Sequence, residues 1–194
     1  MSVVLGSLFA IIANASMADE SGLYDAPLAD DAAFVRFVGF EGAELPFVFD
    51  QPQPAGLLSE GQYGVISADA TPDADPGQYY TVIPKADGTP EILTEPARTS
   101  TAKVSLQLLN LTDGPLSLKL ADGSTAIVEG VAPGAIGARE VNPVKVPVQV
   151  FAGEKGLGDA VELLLQRGND PTLIAGSSGI TVLYSEIVRS DLTE

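Results

Sequence analysis

The stretch KVSLQLLNLTDGPLSLKLADG (Lys103–Gly123) decides the fold. From Lys103 to Leu111, Val104, Leu106 and Leu108 alternate with Ser105, Gln107 and Leu109. Successive side chains of a strand point to opposite faces, so the segment reads as a strand with one buried face. Thr112-Asp113-Gly114 is a turn, and Leu116, Leu118 and Leu120 then alternate again. Ala121-Asp122-Gly123 follows, and Asp-Gly between alternating apolar runs is a strong hairpin signal. Thr125 to Val131 is the returning strand.

Working outward, the same pattern repeats. Ala33–Val38, Leu45–Phe49, Gln62–Ser67, Gln78–Ile83 and Glu91–Thr94 precede the stretch. Val144–Phe151, Val161–Leu165, Thr172–Ala175 and Ile180–Tyr184 follow it. All are short, rich in branched and aromatic residues, and bounded by Gly, Pro, Asp or Asn, which marks an all-β chain. Glu95-Pro96-Ala97-Arg98-Thr99-Ser100-Thr101 is polar, has little to bury and reads as a linker. The halves echo each other: Ala33-Phe34-Val35 and Ala102-Lys103-Val104 each open a strand, turn, strand series. The expectation is two tandem small antiparallel β-sandwiches, jelly-roll or carbohydrate-module-like, at 19–95 and 103–194, with 96–102 as linker. One larger sandwich is the alternative.

Val3 to Ala13 is an apolar run of signal-peptide length, too short to span a bilayer. Ser16-Met17-Ala18 supplies small residues for a cut after Ala18, although no Lys or Arg precedes the run. Residues 1–18 therefore read as a secretory signal, and no second apolar span follows. A periplasmic protein without a membrane span after cleavage is expected.

The chain has 26 acidic and 10 basic residues, a net charge of −16, and no His, Cys or Trp. Nucleic acid is disfavoured as a partner, because binders of phosphates carry basic stripes. Without His there is no Ser-His or Cys-His nucleophile pair. Without His and Cys there is no zinc, haem or iron–sulfur site, so no cofactor is expected. Only an all-oxygen calcium or magnesium site would remain. Asp69, Asp73 and Asp75 share a loop but lack the spacing of a calcium loop, and read as a solvated turn. Ser177-Ser178 between glycines lacks a Lys at Ser-x-x-Lys spacing and reads as a loop.

Pro133-Gly134 and Gly137 then make a bend before Arg139-Glu140-Val141-Asn142-Pro143-Val144-Lys145. This segment reads as a corner whose Arg139, Glu140, Asn142 and Lys145 make a contact or a hydrogen-bonded clasp. Tyr79 and Tyr80 fall on opposite sides of their strand, so an outward aromatic is expected there. Tyr80 and Arg36 complete the candidate contacts to a partner or polymer.

The motifs resemble a known family. They are Gly22-Leu23-Tyr24-Asp25, Ala33-Phe34-Val35-Arg36, Leu106 to Thr112, Leu116-Ser117-Leu118-Lys119, Ala121-Asp122-Gly123, Val131-Ala132-Pro133-Gly134 and Arg139 to Lys145. In order and spacing they resemble the AlgF family, periplasmic accessory proteins of bacterial alginate O-acetylation. The resemblance implies a non-catalytic adaptor of two carbohydrate-module-like β domains, working with periplasmic alginate O-acetyltransferases. The alternatives are a module that binds the alginate polymer and presents it, and an acetyl relay. A scatter of Arg36, Arg139 and Lys145 would count against polymer binding, because a chain of charge −16 needs a local basic cluster to meet a polyuronate.

Overall fold

The computed structural model describes residues 27–40, 48–49, 60–71 and 73–188. Residues 1–18, expected to be a secretory signal, the Gly22-to-Asp25 motif and most of the strand expected at 45–49 lie outside the described residues. Thirteen strands and no helix occur among them, so no helix there is long and apolar enough to cross a membrane.

The strands are β1 (Ala32–Phe37), β2 (Tyr63–Ser67), β3 (Tyr79–Pro84), β4 (Pro90–Thr94), β5 (Val104–Asn110), β6 (Leu116–Leu120) and β7 (Ala126–Val131). They continue with β8 (Ala135–Val141), β9 (Lys145–Ala152), β10 (Lys155–Leu164), β11 (Asp170–Gly176), β12 (Gly179–Ser185) and β13 (Ile187–Val188). They form a first sheet in the order β13-β2-β1-β3-β4, a middle sheet β12-β11-β5-β8 and an outer sheet β10-β9-β6-β7.

The middle and outer sheets face each other as a sandwich. Val104, Leu106 and Leu108 of β5 meet Leu116 and Leu118 of β6, Val148 and Val150 of β9, and Leu163 of β10 in one buried cluster. Each such side chain contributes about 1.5–3 kcal/mol through burial. The Asp122-Gly123 hairpin forms as expected between β6 and β7, with Gly123 at φ +72°, a left-handed conformation that glycine adopts without strain.

The first sheet packs on the back of the middle sheet. Val38, Ile83 and Leu109 are buried together, with Leu93, Ile136, Ile174 and Leu183 against them. The three sheets are therefore stacked layers, and β5 is in the middle of the stack. All seven of its residues are buried. The expectation of one buried face is corrected here: Ser105, Gln107 and Leu109 are covered by the first sheet as fully as Val104, Leu106 and Leu108 are by the outer sheet. The pairing is also mixed rather than purely antiparallel, since β1 runs parallel to β3, β5 to β11, and β2 to β13.

Three elements differ from the sequence reading. Ala135–Val141, read as a corner, is the strand β8, paired along its length with β5. Gly137 lies within it, where a Cβ would sit 2.7 Å from Val128 and Val131 methyl groups; the glycine permits close approach of the layers rather than a bend. β10 starts well before Val161 and carries a register shift between Leu157 and Val161. β13, not expected at all, carries the chain back to β2 of the first sheet.

Candidate functional site

Two parallel strand pairs, facing each other across the first and middle sheets, build the site. In one, Arg36 of β1 stands beside Thr81 of β3. In the other, Gln107 of β5 stands beside Thr172 of β11. Both pairs point into the space between the layers, and all four residues are fully buried.

Arg36 uses its whole guanidinium. Nε donates to Thr81 Oγ1 at 2.8 Å, Nη1 to Thr172 Oγ1 and Ser185 Oγ at 2.8 Å each, and Nη2 to Gln107 Oε1 at 2.7 Å. Nη2 also lies 3.2 Å from Glu95 Oε1. A guanidinium has five N–H donors, and here every one has an acceptor. Glu95 is matched as completely. It accepts from Thr81 Oγ1 at 2.6 Å, from the Tyr63 hydroxyl at 2.8 Å and from Gln107 Nε2 at 2.7 Å. Burial would raise its pKa, but Arg36, Arg98 and the hydroxyl donors outweigh that effect and hold the carboxyl below its ordinary value. Burial pushes the Tyr63 hydroxyl far up, so it stays a donor to Glu95.

Arg98 joins this network to the surface. Its Nη2 lies 3.3 Å from Glu95 Oε2 and its Nη1 3.1 Å from Asp170 Oδ2. Its guanidinium carbon lies 3.4 Å from the centre of the Tyr79 ring, whose other side stacks on Phe34 at 4.3 Å. Arg98 Nε is buried without a hydrogen-bond acceptor among the described residues. Asp170 accepts from the Ser105 amide at 2.8 Å, yet burial wins and its pKa is raised. A pocket of about 420 Å³ opens here, lined by Tyr79, Arg98, Thr101, Lys103, Asp170 and Ser185 among others.

The segment read as a linker thus has much to bury. It forms no strand, but Glu95 is 2% exposed and Arg98 sits in the layer interface. It is also clasped from outside. Glu140 accepts from the backbone amides of Thr99 at 2.8 Å and Ser100 at 2.9 Å, and from the Thr99 hydroxyl. These bonds, the Thr99 hydroxyl first, hold the Glu140 pKa low.

The other sequence-predicted residues are dispersed. Asn142 Oδ1 accepts from Lys103 Nζ at 2.6 Å. Lys145 pairs with Glu162 at 2.6 Å on the surface. Arg139 is exposed on β8 and forms no ion pair with any described residue. Arg36 and Tyr80 are corrections: neither faces outward. Arg36 is held inside by its acceptors, and Tyr80 is 3% exposed, edge-on to Phe49, its hydroxyl accepting from the Asp75 amide. Arg36, Arg139 and Lys145 therefore make no common basic surface. Thr81, Glu95, Gln107, Thr172 and Ser185 were missed. The available signal was a lone Arg inside the otherwise apolar AAFVRF, and Ser105 and Gln107 between the leucines of VSLQLLN.

Comparison with known proteins places these features among relatives. Residues 54–172 match the family described as alginate O-acetyl transferase AlgF. The chain is 33% identical to the alginate biosynthesis protein AlgF of Pseudomonas aeruginosa, over 87% of this chain and 84% of that one. It is 33% identical to the alginate biosynthesis protein AlgF of Azotobacter vinelandii, over 84% of this chain and 69% of that one. Among solved structures, the C-terminal domain of AlgF from P. aeruginosa is 34% identical, covering 43% of this chain and 96% of its own, with a TM-score of 0.38.

Proposed function

This chain belongs to the AlgF family, and from that premise we propose that it is a non-catalytic periplasmic adaptor required for the O-acetylation of alginate, joining acetyltransferase components. The names of its relatives, alginate O-acetyl transferase and alginate biosynthesis protein, support the pathway. One observation carries the adaptor reading: the polar side chains that converge between the layers are spent on one another. Ser185, which lines the pocket, accepts its hydrogen bond from the Arg36 guanidinium. A nucleophilic serine needs a base beside it to take its proton, and a guanidinium cannot accept one. The network instead fixes how the sheets stack, which suits a rigid surface for protein partners, the periplasmic alginate O-acetyltransferases.

Deleting the gene tests this. The acetyl content of the secreted polymer, read by proton NMR, should fall sharply while polymer is still made. Unchanged acetylation would end the adaptor reading. Calorimetry of the purified protein against each acetyltransferase should show saturable binding, with no acetyl mass gained on the chain during turnover. Stable acetyl transfer onto the chain would replace the adaptor by a relay.

A further inference from the structure

Three segments, 96–103, 141–147 and 161–169, meet at one end of the sandwich and are tied by direct bonds. The Leu165 amide donates to the Val144 carbonyl at 3.0 Å, Arg167 Nε to the Ala102 carbonyl at 3.0 Å, and Lys103 Nζ to Asn142 Oδ1 at 2.6 Å. The segments carry four cations, Arg98, Lys103, Lys145 and Arg167, against one carboxylate, Glu162, in a chain with 26 acidic and 10 basic residues. Arg98 is engaged by Glu95 and Asp170, and Lys145 by Glu162. Lys103 and Arg167 form no ion pair with any described residue. Glu140 lies near enough to feel the Lys103 charge, but its oxygens are taken by Thr99 and Ser100. The same end exposes Val144 (50%) and Leu164 (54%), the two most exposed large hydrophobic side chains among the described residues. Single apolar side chains on a surface are ordinary, but these two sit at the adjoining ends of β9 and β10, with Lys145 opposite Leu164 across the pair.

We propose that this end is the docking surface for a folded protein partner whose own face presents an apolar patch ringed by carboxylates. The proposal rests on the adaptor reading and deepens it, by saying where an acetyltransferase component meets this chain. An apolar centre inside a charged rim is the anatomy of protein interfaces. Lys103 and Arg167 would steer towards it an acidic face that the rest of a chain of charge −16 repels. The loops are already tied before any partner arrives: Gln166 bridges to Asn169 around Gly168, which sits at φ +77°, so little ordering is left to do on binding. A polyanion without apolar surface would match the cations and leave Val144 and Leu164 in water. An anionic bilayer would have to draw in a chain of charge −16 through two aliphatic side chains. A second copy related by a two-fold axis would set these cations against themselves. The acidic protein face fits all the observations.

The test is calorimetry of the purified protein against each periplasmic acetyltransferase, at low and high salt, with three surface variants whose folding is checked by circular dichroism. Leu164→Asp should weaken binding by about tenfold or more, the loss of an interface anchor. Arg167→Glu should weaken it comparably at low salt and less at high salt. Lys155→Glu makes the same charge change at the opposite end of β10 and should leave binding unchanged. The surface is overturned if Leu164→Asp and Arg167→Glu bind like the parent, or if Lys155→Glu is as damaging as Arg167→Glu. Self-association of the parent that Leu164→Asp abolishes, read by sedimentation, would assign the surface to a second copy instead. Leu164-dependent binding to phosphatidylglycerol vesicles would assign it to a membrane. Either result overturns the proposal. Intact binding with indifferent variants would remove this surface and leave the adaptor. A parent that binds no acetyltransferase would remove the adaptor and this surface with it.

Discussion

Arg36 shows how one side chain can hold two sheets in register. A buried charge is tolerable only when its hydrogen bonds are complete, and removing one partner leaves the other stranded. Arg36→Met should therefore lower unfolding stability by about 3–5 kcal/mol, measured by urea denaturation. Adding Glu95→Leu should recover part of that loss, because the stranded carboxylate goes with it. A single-variant cost below about 1 kcal/mol would mean that water reaches the site. Glu95 also sets an acid limit. Its folded pKa lies below the unfolded one, so its contribution is full at neutral pH and drains as pH falls through and below about 4. Asp170 is shifted the other way, so taking up its proton on acidification favours the fold and offsets part of that loss. Glu95→Gln should be less stable than the parent at pH 7, with the gap closing towards pH 2. A constant gap would show that charge is not what Glu95 contributes. At this scale the sequence was least legible. A lone Arg in an apolar strand reads equally as an edge charge or a core ion, and only its partners, brought from β3, β5, β11 and β12, decide which.

The elements were easier to read. Period-two alternation found β5, β6 and β9 almost to their ends, because Val104, Leu106 and Leu108, then Leu116, Leu118 and Leu120, then Val146, Val148 and Val150 fall on one face of each, while β1 was found as a short apolar run. β8 was lost because Pro133, Gly134 and Gly137 look like punctuation. Yet Gly137 is there to let β8 close on Val128 and Val131. Gly137→Ala should cost about 1–3 kcal/mol through overpacking. A neutral result in thermal unfolding would mean that β7 has room to move aside. The 95–102 segment misled for the opposite reason: Glu95 and Arg98 are not solvated surface charges but partners in the buried ion network. Glu140→Ala should speed hydrogen exchange at the Thr99 and Ser100 amides, which would then lose their acceptor. Unchanged protection would show that Arg98 alone holds the segment.

At the scale of the molecule, all-β architecture followed from the strand pattern, while the stacking of three layers did not. Stacking depends on the second face of β5, and a face carrying Ser105 and Gln107 looks solvated until Arg36 and Glu95 are placed against it. Because that contact is both apolar and ionic, the sheets should melt as one unit. A single cooperative transition is expected by circular dichroism, and Arg36→Met should separate it into two. Two transitions in the parent would show that the layers are independent.

The completeness of the Arg36 shell also imposes an order in time. Its acceptors are Thr81, Glu95, Gln107, Thr172 and Ser185, and the last belongs to β12. While the chain emerges end first, β1 has its cation but not its late acceptors, and burying it early would strand a charge. The N-terminal strands must wait, exposed, for the C-terminal ones. A holding chaperone in the compartment where the chain folds would have its longest hold on Ala32–Phe37.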